Sequence, residues 1–514
     1  MKLLKAMATI AGFTFLSRIA GMARDMITAN VLGAGPIADA FFVALKLPNF
    51  FRRVAGEGAF SVSFVPLYSK ILSQEGEEEA AKFSGEVCSL MTIILALFTI
   101  IFIIAMPWVI HAIAPGFEEG TERYSAAVAM TQITFPYLML MSLTSLFGGM
   151  LNAHHKFGPF SAAPIIFNCT IIFFMVVLTP FFPNAGFSMS VAVSVSGILQ
   201  LLMVIFFVKR HRIGFHWQRP QLSQRTKRLF KLMGPGVLSA GVFQVNLFVD
   251  MMVASILPTG AISFLYYADR LNQLPLSIAG IAVGTALLPM LSKSLASEDH
   301  AQSNDLFNRS LEFCFFVALP AAVALLIIPI PMVATLFEHG KFTHVETLQT
   351  AYVLMGYGIG LPAYIASKVF MTAFWSHEDT MTPVKISMLT AVSNIVLCLI
   401  LIKPLGVAGI SLATGIVGWL QVYLLHKQLG KHEALSFDAR LRTVFPKIVL
   451  CSAVMACMLA LGNYMLQDYF HAGLWVKILS LSALVLLGGL TYLLSVTQTG
   501  IFTLKELKRY TSRS

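Results

Sequence analysis

Residues 87–113 read VCSLMTIILALFTIIFIIAMPWVIHAI, without a single Asp, Glu, Lys or Arg. Crossing about 30 Å of hydrocarbon takes roughly 20 apolar residues, and they must be helical because lipid offers no partner to an open backbone N–H or C=O. A membrane span is therefore expected over 84–113. Working outward with the same criterion, further spans are expected at 6–32, 36–70, 124–152, 158–181, 187–208, 229–257, 262–292, 306–337, 345–375, 384–402, 406–427, 442–466 and 473–497, fourteen in all. The composition agrees: 57% of the 514 residues are hydrophobic, only 12% are charged, and the mean hydropathy is +0.77. Soluble domains carry about 25% charged residues, so an ordinary water-soluble protein is excluded.

The six cysteines, Cys88, Cys169, Cys314, Cys398, Cys451 and Cys457, lie singly in apolar stretches. Without CxxC or Cys/His spacing they argue against a disulfide framework or a zinc site. Lys2 and Lys5 before an apolar run imitate a signal peptide, but Arg18, Arg24 and Asp25 interrupt it with no convincing cleavage site, so a retained first helix is expected.

An even number of spans puts both ends on one side, and Lys and Arg accumulate on the cytoplasmic side. The segment 209–231 carries Lys209, Arg210, Arg212, Arg219, Arg225, Lys227, Arg228 and Lys231, and the tail adds Lys505, Lys508, Arg509 and Arg513. Loops of opposite parity hold little beyond Arg123, Lys341 and Lys403. Both termini are therefore expected in the cytoplasm. The net charge of +11 belongs to membrane-flanking loops before it belongs to a nucleic-acid surface, although a lipid or nucleic-acid patch at 209–231 is the competing interpretation.

Shifted by about 225 residues, the chain matches itself: Gly35 with Gly260, Phe41-Phe42 with Tyr266-Tyr267, Pro66 with Pro289, Pro107 with Pro331, Gly116 with Gly340, Pro136 with Pro362 and Asn168 with Asn394, in order. One copy holds six spans, so the second enters the bilayer the same way round. The expected fold is an all-α integral membrane protein with 14 transmembrane helices. Two parallel six-helix lobes, 1–224 and 225–430, are related by a pseudo-two-fold along the membrane normal, and 431–514 adds helices 13 and 14 with a basic tail.

Ionisable residues at membrane depth are expensive and mark function by default. The first span places Thr14, Ser17, Gly21, Arg24 and Thr28 on one face beside Arg18 and Asp25. The second does the same with Asp39, Lys46, Asn49, Arg53 and Glu57 beside Arg52, and the eighth with Ser263, Tyr267, Arg270 and Gln273 beside Asp269. At about 1.5 Å per residue, Arg18 and Arg52 lie roughly 20–25 Å below the outer ends, and Arg24 and Arg270 about 12 Å below. Six cations against Asp25, Asp39, Glu57 and Asp269 leave 6 − 4 = +2. Guanidinium groups present paired donors suited to phosphate oxygens, so a phosphate-bearing substrate is expected. The structural alternative is that Arg24 with Asp39, and Arg53 with Glu57, pair merely to hold the fold.

Asp250 stands alone on the seventh span. With Thr390, Asn394 and Ser411 it could form an oxygen-rich cation site, the alternative being a hydrogen-bonded Asp with no ion. Gly356-Tyr-Gly-Ile-Gly360 lacks a βαβ setting and reads as close helix packing or a kink rather than a nucleotide loop. His154-His155 has no partner ligands nearby in sequence, and no set of nucleophile, base and orienter argues for catalysis.

The run Arg18-Ile-Ala-Gly-Met-Ala-Arg24-Asp25, then Gly33-Ala-Gly35, Asp39-Ala-Phe-Phe-Val-Ala-Leu-Lys-Leu-Pro-Asn49, Arg52-Arg53 and Glu57-Gly-Ala-Phe-Ser61, closely resembles the MurJ (MviN) lipid II flippases of the MOP exporter superfamily. So do Tyr266-Tyr-Ala-Asp-Arg270, Gly284-Thr-Ala-Leu-Leu-Pro289 and Thr382-Pro-Val-Lys385. The resemblance covers essentially the whole chain. It implies a flippase in the bacterial inner membrane that carries the undecaprenyl-diphosphate-linked peptidoglycan precursor, lipid II, to the outer leaflet. Arg18, Arg24, Arg52 and Arg270 would hold the head group, with Ser17, Asp39, Glu57 and Ser263 in support and helices 13 and 14 forming a groove for the polyprenyl tail. The implied partners are lipid II, membrane lipids and other cell-wall synthesis proteins. No cofactor is implied, and energy would come from the membrane potential or a monovalent cation. The competing classes are an exporter of drugs or another polyprenyl-linked oligosaccharide, for which intramembrane carboxylates would be expected to dominate in the drug case, and a membrane-embedded transferase.

Overall fold

The computed structural model describes residues 2–53, 60–282, 288–297, 299–429 and 435–501, and among them there is no β-strand. Eighteen α-helices run in order: α1 Lys2–Leu32, α2 Pro36–Phe51, α3 Ser61–Glu75, α4 Glu77–Ile113, α5 Glu122–Thr134, α6 Tyr137–Ala153, α7 Gly158–Phe173, α8 Ala185–Arg210, α9 Gln224–Ser255, α10 Ala261–Ala282, α11 Leu288–Ala296, α12 His300–Ile327, α13 Pro329–Leu336, α14 His344–Ser376, α15 Met381–Leu405, α16 Val407–Leu429, α17 Ala439–Leu466 and α18 Leu474–Gln498. Among the described residues, ten segments are long and apolar enough to cross a membrane. The four other expected spans, 6–32, 36–70, 229–257 and 262–292, coincide with α1, α2–α3, α9 and α10–α11. These are the first two spans of each expected repeat, and three of them are the charged faces singled out above.

Several boundaries follow from local chemistry. Pro36 opens α2 at the first helical position, where its missing N–H costs nothing. The expected single span 124–152 is divided between α5 and α6 at Phe135-Pro136, and 306–337 between α12 and α13 at Ile328-Pro329, because proline cannot donate to the preceding turn. Pro107 and Pro362 lie inside α4 and α14 without ending them.

The chain forms two compact units: residues 1–263 with 339–342, and residues 264–338 with 343–514. In the first, Phe60, Phe64, Tyr68 and Phe83 stack between α3, α4 and α6, and the rings of Phe51, Phe98, Phe102 and Phe135 interlock α2, α4 and α5. Glu86 receives the hydroxyls of Ser223 and Thr226 and so fixes the start of α9 on α4. In the second unit Glu312, 226 residues later, pairs with Arg309 and Arg440, and Arg309 also reaches Asp438, the N-cap of α17. Each expected lobe thus anchors its exit linker on an acidic residue at matching repeat positions.

The second unit is built on α14 against α16. A Cβ at Gly360 would lie 2.5 Å from the Gly415 Cα, so the two backbones touch there, and Tyr364 donates across the seam to the Thr414 carbonyl at 2.8 Å. The Gly356–Gly360 motif is therefore a packing device, as its small residues suggested. On the far side, α17 and α18 pack on α12 around Ile448, Met455, Leu459 and Leu484, with the Tyr492 hydroxyl donating to the Phe316 carbonyl at 2.8 Å. Outside the apolar part of this unit, Glu338 accepts from Lys477 Nζ at 3.3 Å and faces His344 Nδ1 at 3.1 Å. Burial pushes its pKa up, but the hydrogen bonds from Thr347 and His344 and the Lys477 charge outweigh this and hold it below the usual carboxylate value.

Two outcomes follow. Gly360→Val overpacks the seam and should cost about 1–3 kcal/mol, read as an earlier thermal unfolding midpoint in detergent. Because the Glu338 pKa is lowered, its contribution is complete above the unfolded carboxylate value of about 4.3 and is lost as pH falls through the folded value. Thermal stability should therefore decline on acidification below that range, and Glu338→Gln should flatten the decline.

Candidate functional site

On the polar face of α1 the Arg24 side chain is buried, at 7% exposure. Its Nε and Nη2 donate to Asp25 Oδ1 at 3.1 and 2.7 Å, and its Nη1 donates to Asn168 Oδ1 of α7 at 3.1 Å. Asn168 spends its amide on the Ser17 carbonyl at 3.1 Å, so one α7 residue orients both ends of this polar face. The Phe167 ring lies 5.5 Å from the guanidinium carbon. Ser17 is half-buried and Arg18 is exposed one residue further on.

On α2 Asp39 has no exposed surface at all. Its Oδ2 accepts from Arg123 Nη2 at 2.7 Å and from the Gly260 N–H at 2.8 Å, and its Oδ1 accepts from the Ser263 N–H at 2.9 Å and the Ser263 hydroxyl at 2.6 Å. The carboxylate thus caps the start of α10 from another helix, where the orphan N–H groups and the positive end of the helix dipole favour an anion. Gly260 sits at φ +101°, a backbone shape that glycine adopts without strain, and this turns its N–H onto Asp39. The expected Arg24–Asp39 pair is corrected: Asp39 is held by Arg123, and Arg24 by its neighbour Asp25.

Lower on α2, Lys46 and Arg52 are half-buried and Arg53 is exposed. Arg52 Nε donates to Asn49 Oδ1 at 3.1 Å, and Asn49 is itself tied to the Leu45 carbonyl at 2.8 Å, which fixes the guanidinium along the helix. Glu57, and with it the expected Arg53–Glu57 pair, lies outside the described residues.

Ser263 is the last residue of the first unit, whereas Asp269 and Arg270 belong to the second. There Arg270 Nη2 donates to the Tyr266 hydroxyl at 3.0 Å and its guanidinium carbon lies 4.8 Å from that ring's centre. Gln273 donates to Asp269 Oδ2. Asp250 is buried on α9 in the first unit. Thr390, Asn394 and Ser411 are buried in the second, where Thr390 donates to Ser387 O, Ser411 to Ala408 O, and Thr414 Oγ1 to Asn394 Oδ1. Among the described residues no group of three or more His, Cys, Asp or Glu converges as a metal-ion site.

Arg123 and Asn168 carry no comparable signal in the sequence, where the first is a sparse outer-loop cation and the second a repeat mark. Their partners, Asp39 and Arg24, lie 84 and 144 residues away, beyond any helical spacing rule.

A family model described as "Lipid II flippase MurJ" matches residues 28–481. The chain is 38% identical over 463 residues to the probable lipid II flippase MurJ of Rhizobium meliloti (strain 1021), covering 89% of this chain and 86% of that one. A solved structure described as lipid II flippase MurJ in an inward closed conformation is similar with TM-score 0.80 at 28% identity, covering 95% of this chain and 98% of that one. An inward-facing multidrug resistance MATE family transporter of the MOP superfamily shares the fold, with TM-score 0.69 at 13% identity over 82% of this chain and 98% of that one. The fold is that of a multi-span membrane protein and is shared with a MOP-superfamily transporter. The chain belongs to the lipid II flippase MurJ family.

Asp39→Ala leaves Arg123 buried without its counter-charge and strips the cap from α10. Breaking a buried pair in this way costs about 3–5 kcal/mol. The loss should appear as a lowered unfolding midpoint in detergent, larger than that of Ser263→Ala, which removes only one neutral donor.

Proposed function

We propose that this chain carries lipid II from the inner to the outer leaflet by alternating access, with the arginines of α1, α2 and α10 holding the diphosphate-linked head group while the polyprenyl tail stays in lipid. The observation that carries the proposal is Arg24: a guanidinium with 7% exposure on the polar face of the expected first span, kept in register by Asp25 and Asn168. A charge is retained in such a place for what it binds. Arg18, Arg52 and Arg270 supply further donors, with Ser17, Lys46, Arg53 and Asp269 nearby on the same helices.

The full arrangement proposed is fourteen spans in two parallel six-helix lobes, 1–224 and 225–430, with both termini in the cytoplasm and the chain in the bacterial inner membrane. Helices at all fourteen positions, the ordered repeat marks and the matching Glu86 and Glu312 anchors support it. The pair α17–α18, in the region 431–514 beyond the lobes, is proposed to guide the tail. Leu461, Met465, Leu479, Leu486 and Leu490 give this pair a broad exposed apolar surface.

The head group is anionic, so exporting it from a negative interior is favoured by about 2.3 kcal/mol per charge per 100 mV. The membrane potential can then drive the cycle with no cation at Asp250, provided the arginines return unliganded. Flipping by the reconstituted protein should accelerate when an inside-negative potential is imposed, and indifference to the potential overturns this electrogenic form. For the substrate, wild type should rescue growth of cells depleted of their own flippase, whereas Arg24→Ala and Arg270→Ala, confirmed in the membrane, should each fail. Rescue by both variants would reduce these arginines to structural parts.

A further inference from the structure

Arg123 lies in the first turn of α5 and is held from several sides. Its Nη2 takes Asp39, its Nη1 lies 3.4 Å from the carbonyls of both Ser255 and Leu257 at the end of α9, and the Phe117 ring sits 4.0 Å from its guanidinium carbon. Carbonyls at a helix C-terminus and an aromatic face both favour a cation. The remaining donor, Nε, is buried with no hydrogen-bond partner among the described residues. A small cavity of about 270 Å³ opens beside it, lined by Pro36, Phe117, Thr121 and Thr259.

The surrounding backbone is drawn together at the same place. A Cβ on Gly116 would lie 2.2 Å from the Ser255 carbonyl oxygen, and the Gly116 N–H donates to the Ser255 hydroxyl at 3.1 Å. The repeat counterpart of this contact is present: Gly340, 224 residues later, lies so close to Asn30 that a Cβ would meet its side-chain oxygen at 2.2 Å, and Asn30 is 225 residues before Ser255. The end of each repeat's first long helix, α1 or α9, is thus seated against a glycine turn of the other repeat. One of these two seats is sealed by an ion pair.

We propose that Arg123 is the gating residue of this end of the molecule: its pairing with Asp39 holds α2, the end of α9 and the first turn of α10 together, and its separation is the step that opens the substrate path here. The two partners are unequally satisfied, which makes the pair breakable. Asp39 has four donors at 2.6–2.9 Å in the closed arrangement, whereas Arg123, apart from Asp39, reaches only two carbonyl oxygens at the long distance of 3.4 Å. Once Arg123 leaves, Asp39 is a carboxylate with no exposed surface and only neutral donors, so water must enter the seat. Arg123 is a positioning residue, acting on transport through Asp39. The inference rests on the alternating-access proposal above only in taking this end as the outer one.

The test is a distance measurement between spin labels at Thr121→Cys and Thr259→Cys, on opposite rims of the cavity, in the full chain in lipid nanodiscs with its native cysteines replaced and no substrate added. The parent should give one dominant short distance. Arg123→Gln should raise the ratio of long to short distances at least tenfold, and adding Asp39→Asn should bring it back toward the parent because no charge is then left buried alone. An unchanged distribution in Arg123→Gln, whatever its melting temperature, overturns the proposal, as does a double variant as open as the single one. If Arg123→Gln does not reach the membrane, Arg123→Lys is measured instead: it should shift the distribution in the same direction by a smaller factor, and no shift overturns the proposal. Because no substrate enters, labels that respond while wild type fails growth rescue would sink the lipid II proposal and leave the gate standing. Rescue without any label response does the reverse.

Discussion

A carboxylate with no exposed surface inside an apolar helical protein must be paid for in full by its neighbours, and Asp39 is that group here. Two backbone N–H groups, a hydroxyl and a guanidinium converge on its two oxygens. Each donor comes from a different stretch of chain from Asp39 itself, so satisfying one side chain determines where α2, α5 and the start of α10 lie. The glycine shape at Gly260 and the seat of Gly116 on Ser255 serve the same convergence. Hydrophobic packing holds these helices in the membrane without specifying which face meets which, since lipid is as apolar as leucine. The polar contacts supply that choice.

The same constraint explains how much of the molecule could be read before its structure was seen. The spans were legible because a bilayer demands long apolar helices, and residues 87–113 leave no other interpretation. Arg18, Arg24, Arg52 and Arg270 stand out in the sequence because a charge in an expected span violates the pattern it sits in. What could not be read was who satisfies them. Local spacing suggested Arg24 with Asp39, yet Arg24 turns to Asp25 and to Asn168 on α7, and Asp39 turns to Arg123 on α5. Partners at separations of 84 and 144 residues leave no trace in helical periodicity. The helix breaks at Pro136 and Pro329 were visible as residues but not as outcomes, since Pro107 and Pro362 are carried inside α4 and α14.

The expected repeat makes the remaining asymmetry informative. With a shift of 225, the Asp39 position falls on Phe264, and with the shift of 224 that relates Gly116 to Gly340, Arg123 falls on Thr347. The glycine seats are therefore duplicated while the ion pair exists once. Thr347 serves Glu338, whose other partners are His344 and Lys477, the last of these on α18 outside the repeat. At the equivalent position of the expected second copy, Thr347 thus helps to fasten α18 through Glu338. In the proposed cycle, two identical seals would both have to break for this end to open. With one seal ionic and the other made of backbone contact and a polar side chain, the free-energy barrier is concentrated in a single pair whose release water can assist. A transporter that must open a wide path gains from having one such pair, because the state of the whole end then follows the state of two side chains.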